Sequence, residues 1–318
     1  MQLPIWARAW AFEGGFCIDQ KGVFYAALSY FLWGVLPVYW KMIDHVPSGE
    51  ILANRIFWSF VFMAALIVFS GKLPAWRETV MGFRKRPERG IALAAASFIL
   101  SVNWFIFIWA VNHGHVVESS LGYYINPLIS IVLGILVLKE KLNGAQVLSV
   151  LLAFAGVLVL TVSYGQFPWI SMGLALTFGV YGLLKKMVNV DSSVGLAVET
   201  MTVCPFAIGY ILYLIFHKES SFSVHSLSTD LFLILTGPAT ALPLLFFAKG
   251  AQRISMFMLG ILQYIAPTLM LLLGVFFYHE PFTAVHFWAF LFIWTALAIV
   301  VLSQSRGTGL FERKPLSR

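Results

Sequence analysis

The chain has 318 residues, 60% of them hydrophobic and only 11% charged, with a formal net charge of +7. A soluble domain carries roughly 25% charged residues, so there is too little charge here to cover the surface of one or two soluble cores. The positive charge lies in tails and loops between apolar runs rather than in a basic patch, which sets nucleic acid aside.

Residues 1–21 read as an N-terminal tail. They lack the apolar run and small-residue cleavage site of a secretory leader. Trp6 and Trp10, one helical turn apart, could form an interfacial anchor; the plainer reading is a frayed terminus. Beyond the tail, ten apolar windows follow at 23–40, 51–70, 90–112, 116–138, 145–163, 168–184, 195–216, 231–248, 256–278 and 284–304. Each approaches the roughly 20 residues that a helix needs to cross hydrocarbon. They are too uniformly apolar for the alternating strands of an outer-membrane barrel. The expectation is an all-α integral membrane protein with ten transmembrane helices. Residues 306–318 close the chain as a second tail. The cysteines, Cys17 and Cys204, are far apart and read as free thiols.

Lys and Arg set the orientation. With ten spans, eighteen of the twenty loop and tail cations fall on one side, six of them in the 71–89 loop, and only Lys41 and Lys218 fall on the other. Both termini are therefore expected in the cytoplasm.

The fourth and ninth windows repeat each other at an offset of 140 residues. YINPLISIVLGILVLKE (124–140) aligns with YIAPTLMLLLGVFFYHE (264–280), matching Tyr124 with Tyr264, Pro127 with Pro267, Gly134 with Gly274 and Glu140 with Glu280. Five spans per half is odd, so the second half enters from the opposite side. Two inverted five-helix repeats are expected, 22–163 and 164–305, an architecture of many secondary transporters with the substrate near the midplane. Pro127 and Pro267 are candidate kinks, since each removes a backbone donor and frees a carbonyl that lipid cannot satisfy. Pro238 and Pro243 predict irregularity in the eighth span.

Polar and amphipathic side chains within the spans mark the candidate cavity: Tyr30 and Trp33 in the first, Asn103 and Trp104 in the third, Tyr123, Tyr124 and Asn126 in the fourth, Gln263 and Tyr264 in the ninth. Ser119, Tyr123, Asn126 and Ser130 share one helical face. Such a lining suits a partly apolar organic substrate with a few hydrogen-bonding groups; ordinary interhelical bonding accounts for any one of these residues equally well. Three charges lie within spans. Arg55 pairs with Glu118 or with Glu50 on this reading, and Glu199 lies near the cytoplasmic end of the seventh. Structural pairing or snorkelling is the first reading of all three, with proton coupling at Glu199 the alternative. No G-x-x-x-x-G-K-[ST], H-E-x-x-H or G-x-S-x-G occurs, so no ATP site, catalytic residue, cofactor or metal is assigned. His113-Gly-His115 reads as a solvated turn.

YFLWGVLPVYWKMI (30–43), EILANRIFWSF (50–60), NWFIFIWAVN (103–112), ESSLGYYINPL (118–128), ETM (199–201) and QYIAPTLMLLL (263–273) together resemble the RarD type of the EamA group, in the drug/metabolite transporter superfamily. The likeness covers roughly 22–305 and is most specific over 103–128; the first 20 residues depart from it. It implies ten helices, two inverted repeats and a permease of the bacterial inner membrane. No site residue is carried over from it. The expected function is alternating-access movement of a small organic metabolite or drug, with export favoured over uptake by analogy and a proton as possible co-substrate. The alternative is a membrane sensor or receptor that binds such a ligand without moving it.

Overall fold

A computed structural model describes residues 19–308 apart from 189, 223–225 and 280, and among the described residues there is no strand. Residues 1–18 of the N-terminal tail, the last ten residues and Glu280 of the repeat lie outside the described residues, while 20–21 and 306–308, read as tail from the sequence, are helical. Twelve helices follow one another among the described residues: α1 Gln20–Lys41, α2 Ser48–Phe69, α3 Leu73–Gly82, α4 Pro87–Asn112, α5 Val116–Leu136, α6 Gly144–Tyr164, α7 Trp169–Met187, α8 Ser192–His217, α9 Leu227–Ala251, α10 Met256–Gln263, α11 Ile265–Phe277 and α12 Ala284–Thr308. Among the described residues nine spans, with α10 and α11 taken together, are long and apolar enough to cross a membrane. A helix satisfies its own backbone polar groups, and lipid will not do so in its place. Large apolar side chains lie open on the outside of the bundle, Phe69 at 89% and Phe216 at 80% exposure among them. That surface belongs against lipid, and the chain is a multi-span membrane protein.

The sixth apolar window is α7, a 19-residue helix whose last turn carries Lys185 and Lys186; it stands outside those nine. Its two ends nevertheless lie at opposite ends of the bundle. The Ile170 backbone N–H donates to Glu118 beside the start of α5 (2.8 Å), while Lys186 donates to the Ile254 carbonyl between α9 and α10.

Carboxylates stitch the helix ends together. Glu118 caps α7, and Glu140 accepts from the first backbone N–H groups of α10, Met256 at 2.7 Å and Phe257 at 3.0 Å. A negative group at a helix N-terminus satisfies orphan donors and meets the positive end of the helix dipole. Glu50 accepts from Ser220 and from the Ser221 backbone beyond α8.

The prolines behave differently from one another. α10 and α11 are separate helices joined at Tyr264, three residues before Pro267. Pro267 has no N–H to give the Gln263 carbonyl. Pro127 lies inside an uninterrupted α5. α9 is also continuous through Pro238 and Pro243, against the irregularity expected there. Around Pro238 the hydroxyls of Tyr39, Thr236 and Ser59 donate to the carbonyls of Phe232, Leu233 and Gly237, while the carbonyl that Pro238 itself frees is that of Ile234. Helices in membranes tolerate proline where neighbouring groups satisfy the backbone.

The helices pack in matching pairs. α5 packs on α7, and α10–α11 on α1; α4 packs on α7, and α9 on α1; α4 packs on α8, and α9 on α2. Three contacts join α2 with α8, α6 with α12, and α5 with α10. Backbones approach closely where glycine allows it: a Cβ on Gly237 would lie 2.4 Å from the Trp58 carbonyl carbon, and one on Gly260 2.7 Å from the Pro127 oxygen.

Candidate functional site

A narrow cavity lies between α2, α4, α8 and α9. α4 presents Ser97, Ser101 and Trp104 at spacings of four and three, which is one helical face. α2 adds Ser59, and α8 adds Glu199 and Thr200. The hydroxyls spend their protons on helix carbonyls: Ser97 on Leu93 (2.9 Å), Ser101 on Ser97 (2.8 Å), Thr200 on Leu196 (3.0 Å) and Ser59 on Gly237 (3.1 Å). Their remaining capacity is to accept hydrogen bonds.

Glu199 forms a buried ion pair with Lys185 of α7 at 2.5 Å, and Tyr181 donates to its other oxygen at 3.3 Å. The two side chains are 3% and 2% exposed. Lys185, counted with the loops in the sequence, is thus part of the interior. Burial of two opposite charges is sustainable only with such direct contact and further hydrogen bonds.

Arg55 pairs with neither Glu118 nor Glu50. Its guanidinium lies between Trp40 of α1 and Trp104 of α4, with ring centroids at 4.6 and 4.9 Å, and its Nε donates to Thr240 of α9 at 3.0 Å. Glu118 is occupied by Ile170, by the Tyr164 hydroxyl at 3.1 Å and by His115 at 3.6 Å.

Of the nine cavity residues read from the sequence, Trp104 lines this cavity. Tyr30 and Trp33 belong instead to an aromatic cluster with Phe178, Tyr181 and Phe247. Asn103 ties α4 to α7, donating to the Leu174 carbonyl (2.9 Å) and to Thr177 (2.8 Å). Tyr123 is 36% exposed and packs edge-on against Phe107. The repeated segments themselves do meet. The Tyr264 hydroxyl donates to the Tyr124 carbonyl at 3.4 Å, Ser130 donates to Gln263 at 3.5 Å, and Gly260 lies against Pro127. Asn126 is buried beside them, its Oδ1 without a hydrogen-bond partner in the structure.

The sequence reading missed Lys185, Thr240, Trp40 and the serines of α2 and α4. The spacing of Ser97, Ser101 and Trp104 was a usable signal; Thr240 and Trp40 carried none until the helices were placed together. Among the described residues no group of three or more His, Cys, Asp or Glu side chains is placed to hold a metal.

A model described as the EamA-like transporter family matches residues 20–162 and, a second time, residues 168–302. The chain is 47% identical to the uncharacterized transporter YojE of Bacillus subtilis (strain 168), over 90% of this chain and 95% of YojE. It is 43% identical to protein RarD of Salmonella typhi, over 89% of this chain and 95% of that one. A solved crystal structure superposes with a TM-score of 0.69 at 20% identity, covering 89% of this chain and 97% of the other, which is a likeness of fold.

Proposed function

Because the chain belongs to the EamA-like transporter family, we propose that it is a secondary permease moving a small organic metabolite or drug by alternating access. The direction is export, the membrane is the bacterial inner membrane, and both termini are cytoplasmic. Residues 22–163 and 164–305 act as two inverted five-helix repeats with ten crossings, α7 being the sixth. The observation that carries this reading is the exchange of packing partners. Swapping α1 with α7, α2 with α8, α4 with α9, α5 with α10–α11 and α6 with α12 turns each strong helix contact into another of them or into itself. A molecule built this way can reach two states of near-equal packing by exchanging the conformations of its halves, which is what alternating access needs. The cavity lies at the meeting of α2 and α8, one helix from each half.

Within this reading the α5–α10 crossing is the moving seam. The Tyr264–Tyr124 and Ser130–Gln263 bonds hold it, with Asn126 buried in α5 and Pro127 and Pro267 as its weak points. Asn126→Leu or Gln263→Leu should leave the protein inserted and monodisperse but slow transport. The direct test is reconstitution in vesicles, with compounds chosen by comparing the metabolites of deletion and overexpressing cells. Substrate moved by the protein, and released outside cells that overexpress it, is the expected result. Saturable binding without flux would make the protein a sensor and end the permease reading.

A further inference from the structure

We propose that Arg55 is the anion-recognising residue of the transport site and that the substrate is an organic carboxylate. The acid group would meet the guanidinium, and the apolar body would lie along Trp104 towards the cavity. The inference rests on the permease reading and adds the substrate class to it.

Arg55 is seven residues inside α2, about 10 Å along the helix axis. A cation there is costly, most at the bilayer centre and less towards an end. The usual remedy is a carboxylate partner, and the carboxylates buried among the described residues are spent. Glu50 is held by Ser220 and Ser221, Glu118 by Ile170 and Tyr164, and Glu199 by Lys185. Among the described residues no acid pairs with Arg55.

The side chain is nonetheless fixed from three directions, by Trp40, Trp104 and Thr240. The tryptophan faces stabilise the charge by cation–π attraction, and Thr240 takes Nε. The two terminal nitrogens, the fork that matches a carboxylate, have no hydrogen-bond or ion-pair partner among the described residues, where Nε alone is bonded. The titratable groups close enough to feel this charge are Tyr39 and Tyr123. Tyr39 donates to Phe232, whereas the Tyr123 hydroxyl makes no hydrogen bond among the described residues and is available to a ligand oxygen. One cation with a hydroxyl nearby suits a single negative charge. Trp104 is common to the Arg55 sandwich and the cavity wall, so a molecule bound at the fork continues into the cavity.

The test is equilibrium binding to purified protein in phosphatidylcholine nanodiscs, read by tryptophan fluorescence. The probes are phenylacetate, benzoate and hexanoate, each against its own amide. At least one acid should bind saturably and about tenfold or more tighter than its amide, the scale of a charged hydrogen bond. Arg55→Gln, checked for elution and melting like the wild type, should erase that preference, and Arg55→Lys should keep part of it. If Arg55→Gln does not fold, the acid-to-amide ratio of the wild type decides alone. Equal binding of acid and amide, no saturable binding of any acid, or a preference that survives Arg55→Gln would overturn the proposal. So would loss of acid binding in step with added phosphatidylglycerol, which would make Arg55 a lipid-headgroup site. Transport of amides by a protein that ignores the acids would leave the permease standing and remove this inference. Acid binding without flux would do the reverse.

Discussion

Glu199 and Lys185 share one buried contact, and its energetics separate a structural role from a coupling role. Removing one partner of a buried pair leaves an uncompensated charge and costs about 3–5 kcal/mol, whereas replacing both with apolar groups is often neutral. Glu199→Gln should therefore destabilise the protein strongly, and Glu199→Leu combined with Lys185→Met should recover most of the loss, as measured by unfolding in detergent. A Glu199→Gln protein as stable as wild type that loses only pH-driven accumulation would make Glu199 a proton carrier instead. The sequence exposes such residues because a charge in an apolar run stands out, and Arg55, Glu118 and Glu199 were all visible for that reason. Their partners were not. Lys185 sits next to Lys186 at the end of an apolar window and reads as a loop cation until α7 is laid against α8. Which hydroxyl or ring faces Arg55 is decided by three helices brought together, and no local pattern carries that information.

Helices long enough to span were legible to within about four residues at each end, because lipid demands about 20 apolar positions and the caps stand at the water-facing ends. Asn143 and Gln146 form a capping box at α6, and Ser226 and Ser255 cap α9 and α10. The short helix α3 was not legible; its ten residues are mixed in character and were read as loop. It is fixed by tertiary contacts, with Trp76 and Val80 against a cluster of Leu93, Val188 and Val198. Lys72 pairs with Asp191 at 2.9 Å next to its start. Asp191 also caps α8 through the N–H groups of Ser193 and Val194. Burial alone would raise the pKa of this carboxyl, but the bond from Lys72, the backbone donors and the Lys72 charge outweigh it and hold the pKa below the ordinary 3.8. The folded pKa is the lower one, so this contribution is complete above the ordinary carboxylate range and is lost as pH falls through the depressed value. The pair is half-exposed, and its charge term is correspondingly small. Asp191→Ala should cost about 1 kcal/mol through the lost cap and speed tryptic cleavage at Arg77 at neutral pH. Amide exchange over 73–82, corrected for intrinsic rate, should likewise quicken under acid conditions. Cleavage no faster than in the wild type would show that α3 is held by its apolar contacts alone.

Across the whole molecule, contacts between helix ends fall into two groups that alternate along the chain. One group joins Asp19 with Arg253, Lys72 with Asp191, Ser192 with Gln252 and Lys186 with Ile254. The other joins Glu50 with Ser221, Glu118 with Ile170, His45 with Thr229 and Lys41 with the Tyr278 ring. α1, α2, α7, α8, α9 and the α10–α11 pair each pass from one group to the other. That alternation fits the ten crossings proposed above, and it agrees with the cation bias. The first group carries the 71–89 loop with its six Lys and Arg residues, and the second carries Lys41 and Lys218. Taking Lys185 out of the loops removes one cation from the first group and leaves the bias large. Cations are retained on the cytoplasmic face during insertion, so the proposed topology puts the first group in the cytoplasm. In a protein cleared of Cys17 and Cys204, single cysteines at positions 84–89 should resist a membrane-impermeant maleimide applied to intact cells. Cysteines at 113–115 should react, and positions 84–89 should become reactive once the cells are opened. The opposite pattern would invert the molecule and with it the assigned direction of transport. Reaction at both sets in intact cells would break the alternation itself, and the two-repeat architecture would fall with it.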